Sequence, residues 1–241
     1  MSRAVNGLVL LDKPAGLSSN QALQRVKRLF EAGKAGHTGS LDPFATGMLP
    51  ICLGEATKTS GHMLESNKCY RAAARLGQAT ATGDPEGEVV ETCDVPDLAE
   101  PAIEDALQAF LGETEQVPPM YSALKHQGRR LYELAREGLS VERKARRIVI
   151  HRLELLAWRR PDLEFEVLCS KGTYVRTLAM DIAGRLGSCA HLTALRRLYV
   201  EPFAGQQMHD IETLEALAHE GRLQSALLPL DAGLAGWPVV L

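Results

Sequence analysis

One carboxylate, Asp42, lies in the stretch "GHTGSLDPFATGMLP" at residues 36–50, where His37 is the other titratable side chain. Glycine and proline residues mark turns, so the stretch predicts a tight connection with a fixed backbone path. A rigid turn is a suitable mount for a nucleophilic carboxylate. The Asp42-Pro43 dipeptide taken alone favours a structural role instead, in which Asp42 is the N-cap of a helix and Pro43 is its first residue.

A second group of candidate residues lies in "CSKGTYVRTLAMDIAGRLG" at residues 169–187, which includes Lys171, Tyr174 and Arg176. These side chains stand where a predicted strand gives way to a predicted helix, and basic residues at helix N-termini hold anions. An arginine beside a buried aspartate also lowers the pKa of that aspartate. The stretch therefore offers a partner for Asp42 without naming a reaction.

The charge of the chain is unevenly distributed, although its net value is only −3. Residues 76–124 contain eleven acidic side chains and no Lys or Arg, whereas residues 125–147 contain eight basic side chains and three glutamates. Lone basic residues are usually part of a solvated face, but a dense basic run beside an acid-only region favours a polyanion such as nucleic acid as a partner. Tyr121 and Tyr132 flank the basic segment and suit either base stacking or core packing.

Other classes of chemistry lack their motifs in this sequence. The patterns GxxxxGK[ST], GxGxxG and GxSxG are absent, which argues against phosphate-binding loops and serine hydrolases. The five cysteines are scattered without zinc-ligand spacing, so we expect no metal site and free thiols in a reducing cytoplasm. Because no signal peptide or membrane-spanning run is present, the sequence predicts a cytoplasmic protein.

The predicted elements mix helices and strands without a regular alternation, which favours an α+β fold over a doubly wound one. A strand over 7–16, a helix that follows it, a strand around Tyr70 and a helix over 100–113 are expected. Residues 116–138 predict a proline turn followed by a basic helix. Residues 191–205 predict a short helix and then a strand, and a final helix is capped by Asp210.

Seven segments taken together resemble the bacterial tRNA pseudouridine synthases that modify uridine 55 of the T loop. They occur in order between residue 7 and about residue 197: "GLVLLDKPAGLSS", "AGHTGSLDPFATGMLPICLGEATK", "KCYRA", "GDPEGE", "VPPMYSALKHQGRRLYELAREG", "CSKGTYVRTLAMDIAGRLG" and "HLTALRR". The resemblance implies a mixed, mostly antiparallel sheet with flanking helices around a central cleft. It also implies an isomerase that flips uridine 55 out of the loop and needs no metal or organic cofactor.

The resemblance assigns roles to the matching residues. Asp42 would attack the target uridine, Tyr70 would stack on the flipped base and take part in removing the proton at carbon 5, and Arg176 would pair with Asp42. Contacts with the RNA or support of the site are implied for a further set of residues: Lys13, His37, Tyr174, Leu195, Lys125, Arg129 and Arg130.

The resemblance also sets expectations for domains and partners. Residues 1–230 would form the catalytic domain, with a basic insertion at about 125–150 that grips the T-arm of tRNA. Residues 231–241 would begin a PUA-like RNA-binding module whose remainder is absent from this chain. A monomer with no obligate protein partner and no membrane contact is expected. Two alternatives stay open: a non-catalytic RNA-binding protein, and an N-glycosidase that releases uracil.

Overall fold

The computed structural model describes residues 5–235, which divide into two compact units. The first unit comprises the chain up to Tyr70 and again from Leu195, and the second comprises Arg71–Ala194. Each unit is described by itself below. The chain therefore leaves the first unit and later returns to it, so residues from both ends of the sequence share one core.

Strands and helices are mixed along the described chain. The strands are β1 (Gly7–Lys13), β2 (Ala35–His37), β3 (Thr46–Leu53), β4 (Lys68–Leu76), β5 (Gln78–Thr80), β6 (Val89–Thr92), β7 (Gly112–Gln116), β8 (Lys125–His126), β9 (Arg129–Arg130), β10 (Arg146–Arg159), β11 (Asp162–Cys169) and β12 (Ala190–Val200). The helices are α1 (Ser19–Leu29), α2 (Ser60–Glu65), α3 (Glu100–Gln108), α4 (Leu131–Arg136), α5 (Val175–Arg185) and α6 (Ile211–His219), and short 3-10 helices cover Gly54–Lys58, Leu223–Ala226 and Ala232–Leu234.

The first unit is built around β3, which is buried along almost its whole length. Strands β1 and β2 pair with it in antiparallel register, and the end of β12 pairs with its beginning in parallel register. Successive residues of a strand point to opposite faces, so β1 contributes Val9 and Leu11 to one core and Leu8 and Leu10 to the other. Because both faces of β1 are buried, its sequence is a continuous apolar run rather than an alternation of apolar and polar residues.

Helix α1 covers one of these cores. It begins at a capping box in which the Ser18 hydroxyl accepts from the Gln21 backbone amide and the Gln21 side chain accepts from the Ser18 amide. Its apolar positions Ala22, Leu23 and Val26 recur at helical spacing and are buried. The cap and the apolar stripe together fix the helix beside the strand that precedes Asp42.

The second unit centres on the long strand β10, which pairs antiparallel with both β7 and β11. The strand pairs β5–β6 and β8–β9 form two further small antiparallel sheets. Helix α5 buries Val175, Leu178, Ala179 and Ile182 in this unit. The expected α+β fold with a mixed, mostly antiparallel sheet is confirmed, since the pairing of β3 with β12 is parallel.

Two predicted elements are wrong. Residues 191–205 contain no helix, because Ala190–Val200 forms a single strand. The basic helix predicted within 116–138 is confined to Leu131–Arg136, and a tight β8–β9 hairpin precedes it. Gln127 and Gly128 both have positive φ values, of 49° and 86°, and two such residues in succession make a two-residue hairpin turn.

The expectation of five free thiols is also wrong. Cys93 and Cys189 form a disulfide, whereas Cys52, Cys69 and Cys169 are free and buried. The two paired cysteines are 96 residues apart in sequence and lie beside Gly77, whose backbone hydrogen-bonds to both: its carbonyl accepts from the Cys93 amide, and its amide donates to the Cys189 carbonyl. Sequence spacing carries no sign of this proximity.

No helix within residues 5–235 has the length and apolar character needed to cross a membrane. The segment expected to begin a PUA-like module starts at residue 231. Its first part contains the 3-10 turn Ala232–Leu234, where Gly233 lies against Met63 of α2. Residues 236–241 of that segment lie outside the described residues.

The disulfide predicts a specific thiol count. Protein denatured without reductant should expose three cysteines to alkylation, whereas reduced protein should expose five. Denaturation is needed because burial raises the pKa of the Cys52 thiol to about 12. Mass spectrometry of the alkylated protein gives the count.

The variant Cys93→Ser provides the control for this count, because it releases Cys189 and should label four cysteines without reductant. Without reductant the variant should also lose up to about 4 kcal/mol in the free energy of unfolding, since a long closed loop is opened. Five labelled cysteines in unreduced wild-type protein would contradict the pairing.

Candidate active site

Asp42 begins a tight turn rather than a helix. The Ala45 amide donates to the Asp42 carbonyl at 3.1 Å, and β3 starts directly afterwards at Thr46. The helix-start interpretation of the Asp-Pro dipeptide is therefore wrong, because the chain continues as a strand. The Asp42 side chain is half-buried on this turn.

Side chains from the preceding strand and helix hold the turn on both sides of Asp42. The Ser19 hydroxyl accepts from the Leu41 amide at 2.7 Å and donates to the Leu41 carbonyl at 3.0 Å. The fully buried Lys13 ammonium donates to the carbonyls of Pro14, Leu17 and Pro43, the last at 3.3 Å. The backbone is thus fixed at the residue before Asp42 and at the residue after it.

A third buried group, Arg197 of β12, contacts the same loop. Its guanidinium donates to the carbonyls of Gly39, Ser40 and Met48 and lies 6.0 Å from the centroid of the Tyr70 ring. Leu195 lies two residues earlier, so it shares a face of the strand with Arg197, and it is also buried. The loop and the aromatic side chain therefore contact one common group.

His37 precedes the turn at the end of β2. Burial lowers the pKa of its imidazole, and the positive charge of Arg197 lowers it further. Its Nδ1 atom is buried without a hydrogen-bond partner within the described part of the chain. The imidazole is consequently neutral at pH 7, where it can offer an uncharged polar edge to a ligand.

In the second unit, Arg176 lies in the first turn of α5 and is 4% exposed. It donates to the Thr82 carbonyl at 2.6 Å and to the Tyr121 carbonyl at 2.7 Å, and one nitrogen lies 3.5 Å from a carboxylate oxygen of Asp84. Asp84 is itself buried and accepts from the Thr82 hydroxyl and the Glu86 amide. This network fixes the guanidinium from three directions.

Tyr174 is the N-cap residue of α5, and its backbone is held by a buried glutamine. The Gln116 carboxamide accepts from the Tyr174 amide at 2.8 Å and donates to the Tyr174 carbonyl at 3.2 Å. Because both the amide and the carbonyl of Tyr174 are bound, the first turn of α5, which includes Arg176, is fixed within this unit.

The basic residues of the predicted insertion lie on and beside the β8–β9 hairpin. Lys125, Arg129 and Arg130 are exposed, and Arg129 pairs with Glu137. The guanidiniums of Arg130 and Arg136 lie 5.8 Å and 5.5 Å from the Tyr132 ring centroid. A cavity of about 410 Å³ opens nearby, and its polar lining consists of Lys125, His126, Arg143, Lys144 and Arg146 together with one carboxylate, Glu142. The surface suits an anion larger than a single phosphate.

Within residues 5–235, one set of side chains has metal-ligand atoms close together. These are Glu91, Cys93 and Cys189, whose ligand atoms lie within 4.8 Å of one another. Because the two sulfur atoms are bonded to each other in the disulfide, neither is available to a metal in this form.

Comparison with known proteins identifies the family. The family model for the N-terminal domain of TruB family pseudouridylate synthases matches residues 27–175, and that for the C-terminal domain of tRNA pseudouridylate synthase B matches residues 176–235. The chain belongs to the TruB family of pseudouridylate synthases. It is 55% identical over 238 residues to the tRNA pseudouridine synthase B of Nitrosococcus oceani, covering 98% of this chain and 77% of that protein. The enzyme of the same name from Chromohalobacter salexigens is 56% identical over 234 residues, which cover 97% of this chain and 76% of that protein.

Solved structures support the fold of this TruB family member. A chain in the crystal structure of a Cbf5-Nop10-Gar1 complex matches with a TM-score of 0.74 at 27% identity. The match covers 94% of this chain but only 61% of that one. The archaeal box H/ACA sRNP Nop10-Cbf5 complex gives a TM-score of 0.70 at 25% identity.

The expected site residues are distributed over the two units. The first unit gathers Lys13 and Asp42 at one turn, with His37 before it and Tyr70 beside the arginine that also contacts the turn. The second unit carries Tyr174, Arg176 and the three basic hairpin residues. The pairing of Asp42 with Arg176 stays a prediction.

Sequence reasoning missed four residues that hold the expected site residues within their own units: Ser19 and Arg197 in the first unit, and Asp84 and Gln116 in the second. Three of them lie in stretches that carried the family resemblance: Ser19 in "GLVLLDKPAGLSS", Asp84 in "GDPEGE" and Arg197 in "HLTALRR". For Arg197, an arginine among the apolar residues of a predicted strand is a usable signal, because arginines are almost never fully buried without partners. Gln116 lies outside those stretches and has no comparable signal in the sequence.

Removing the carboxylate beside Arg176 should destabilise the protein strongly. Asp84→Ala removes a buried carboxylate that pairs with the Arg176 guanidinium, so we expect the free energy of unfolding in urea to fall by about 3–5 kcal/mol. Asp162→Ala is the matched control, because Asp162 pairs with Arg75 at the surface and its loss should cost less than about 1 kcal/mol. Equal losses in the two variants would contradict a buried charge network.

The lowered pKa of His37 predicts a loss of stability in mild acid. The unfolded imidazole takes up a proton near pH 6.5, whereas the folded one does so only at lower pH, so stability falls as pH drops below about 6.5. The slope from this one group is at most about 1.4 kcal/mol per pH unit. Urea midpoints of wild type and His37→Gln between pH 7 and pH 5 measure it, and a variant with an unchanged pH slope would contradict the assignment.

Proposed function

We propose that the protein isomerises uridine 55 in the T loop of tRNA to pseudouridine, with Asp42 as the nucleophile. The observation that carries this proposal is the turn of Asp42, whose backbone is held immediately before and after the carboxylate by Ser19 and Lys13. A fixed carboxylate is what attack on a positioned nucleotide requires. The curated relatives that bear the name tRNA pseudouridine synthase B support tRNA as the substrate.

In the proposed reaction, the Asp42 carboxylate attacks the flipped-out uridine and the bond between N1 of the base and the ribose breaks. The base turns within the pocket, a bond forms between carbon 5 and the ribose, and the proton on carbon 5 is lost while N1 gains one. Atoms and electrons balance without any co-reactant, which fits the expectation of no cofactor and no metal. The released carboxylate is then ready for another turnover.

Four further residues receive supporting roles in this proposal. Tyr70 stacks on the base and takes part in removing the proton at carbon 5. Arg176 pairs with Asp42 and keeps the carboxylate ionised, since an adjacent positive charge favours the charged form. Leu195 and Tyr174 line the pocket, so that the detached base turns without loss to water.

RNA binding is assigned to the exposed basic residues. Lys125, Arg129 and Arg130 lie on a hairpin that suits contact with the phosphates of the T-arm, and phosphate contacts supply most of the affinity for nucleic acids. His37 is neutral at pH 7 and contacts the extruded nucleotide. Recognition then depends on the shape of the folded loop rather than on duplex sequence.

The remaining expectations form part of the same proposal. Residues 1–230 act as the catalytic domain, in which the segment at about 125–150 is an RNA-gripping insertion, and residues from 231 begin a PUA-like module. The protein works in the cytoplasm as a monomer without an obligate protein partner.

Replacement of the nucleophile tests the proposal. Asp42→Asn should reduce the single-turnover rate on a T-arm transcript on the order of 10⁴-fold or more, because the amide cannot act as the nucleophile. Release of tritium from carbon 5 of labelled uridine measures the rate, and filter binding measures the RNA affinity, which should be nearly unchanged. Asp162→Asn alters a surface carboxylate in the same way and should retain the wild-type rate.

Three results would each overturn part of this proposal. Wild-type protein that binds tRNA but releases no tritium would indicate an RNA-binding protein without this activity. Free uracil in place of pseudouridine would indicate an N-glycosidase. An Asp42→Asn variant with the wild-type rate would remove Asp42 from the role of nucleophile.

A further inference from the structure

Arg197 is among the largest fully buried side chains of the first unit, with an exposure of 1%. Its Nε donates to the Met48 carbonyl at 2.7 Å, and its Nη2 donates to the Gly39 carbonyl at 3.1 Å. A longer contact of 3.5 Å joins Nη1 to the Ser40 carbonyl. Gly39 and Ser40 precede Asp42, whereas Met48 follows it in β3, so one planar group spans both legs of the loop.

The charge of Arg197 has no carboxylate within ion-pair distance in the described part of the chain. A buried charge bonded only to carbonyls costs more desolvation than an apolar side chain of similar volume would. Stability alone therefore does not favour an arginine here. Its rigid fork of donors is the property that an apolar residue or a lysine lacks.

The same guanidinium lies 6.0 Å from the centroid of the Tyr70 ring, a distance at which the cation attracts the face of the ring. Arg197 therefore contacts both the loop that carries the proposed nucleophile and the side chain proposed to stack on the base. Because it is buried, it is shielded from the RNA and acts on the reaction only through these neighbours.

The backbone of Arg197 is itself placed by a close approach. A Cβ atom at Gly47 would lie 2.2 Å from the Arg197 carbonyl oxygen, so only glycine allows β12 to pair this closely with β3. Gly47 also has a φ of 102°, which disfavours other residues. The position from which the guanidinium reaches the loop is thus set by the pairing of the two strands.

We propose that Arg197 is a positioning residue for pseudouridine formation, which holds the Asp42 loop and the Tyr70 ring in their reactive arrangement. The inference rests on the proposed function, since it needs Asp42 as the nucleophile. It predicts that the geometry of the guanidinium, rather than its charge or its volume, is what the reaction requires.

Two substitutions separate these properties. Arg197→Lys keeps the charge but not the fork, and Arg197→Met keeps much of the volume without charge. Both should lower the single-turnover rate by about 100-fold, as expected for a small displacement of reacting groups. The dissociation constant for tRNA should stay within about threefold of wild type, because the loss falls on the chemical step rather than on binding.

Amide hydrogen exchange gives a readout that a general loss of stability would not reproduce. In Arg197→Lys, the amides of Leu41 and Ala45 should exchange about tenfold faster or more, since the loop opens locally. The amides of the β10–β11 pair should keep their wild-type rates. All rates are measured below the melting temperature of the less stable variant. If Arg197→Met does not fold, Arg197→Lys alone tests the inference.

Arg196→Lys is the matched control, because Arg196 is adjacent on β12, is partly exposed and pairs with Asp12 instead. Its single-turnover rate should stay within about twofold of wild type. A folded Arg197→Lys variant with the wild-type rate would overturn the inference. Equal losses in the single-turnover rate and in the affinity for tRNA would also overturn it. Faster amide exchange throughout the Arg197→Lys protein would do the same. Failure of the proposed function itself is separate, because wild-type protein would then form no pseudouridine or Asp42→Asn would stay active.

Discussion

The hydrogen bonds between buried cationic side chains and the backbone carbonyls of the Asp42 loop are the constraint on which the first unit depends. A loop rich in glycine has few side chains with which to fix its own path, and its backbone is conformationally free. Lys13 and Arg197 supply the missing restraint from two strands, with Ser19 as a neutral third donor. Hydrogen bonds from charged donors contribute about 1.5–3 kcal/mol each, which suffices to select one loop conformation.

This arrangement determines much of the surrounding architecture. Lys13 reaches Pro43 because it is the last residue of β1, and β1 pairs with β3 in a register that ends at Gly47. Arg197 reaches the other side of the loop because β12 pairs with the start of β3 in parallel. The sheet therefore brings both cations to the same end of β3, from which the loop emerges.

In the second unit, the buried cation is held by an ion pair as well as by backbone carbonyls. Arg176 is bound by two carbonyls and by Asp84, and the backbone before it is fixed by Gln116. The basic hairpin contrasts with this buried network, because its cations are exposed and held by surface pairs such as Arg129 with Glu137. Such pairs are weak, so these side chains are free to exchange their partners for phosphates.

The sequence alone determined the α+β class, the presence and approximate positions of elements such as β1, α3, α5 and α6, and the candidacy of Asp42, because local periodicity, caps and turn residues act over a few positions. It also contained the family resemblance that named Tyr70 and Arg176. It missed the β8–β9 hairpin and wrongly placed a short helix within residues 191–205, where tertiary pairing overrode local preference.

Only the tertiary structure decided which distant residues contact one another. The contacts of Arg197 with Gly39, of Arg176 with Thr82, and of Cys93 with Cys189 join residues that are between 94 and 158 positions apart. Hydrogen bonds and disulfides of this kind join residues that are close only in the folded chain, and their partners form no periodic pattern in the sequence. The sequence therefore indicated Asp42 as the candidate carboxylate, and the fold supplied the buried donors Lys13, Ser19 and Arg197 that hold its loop.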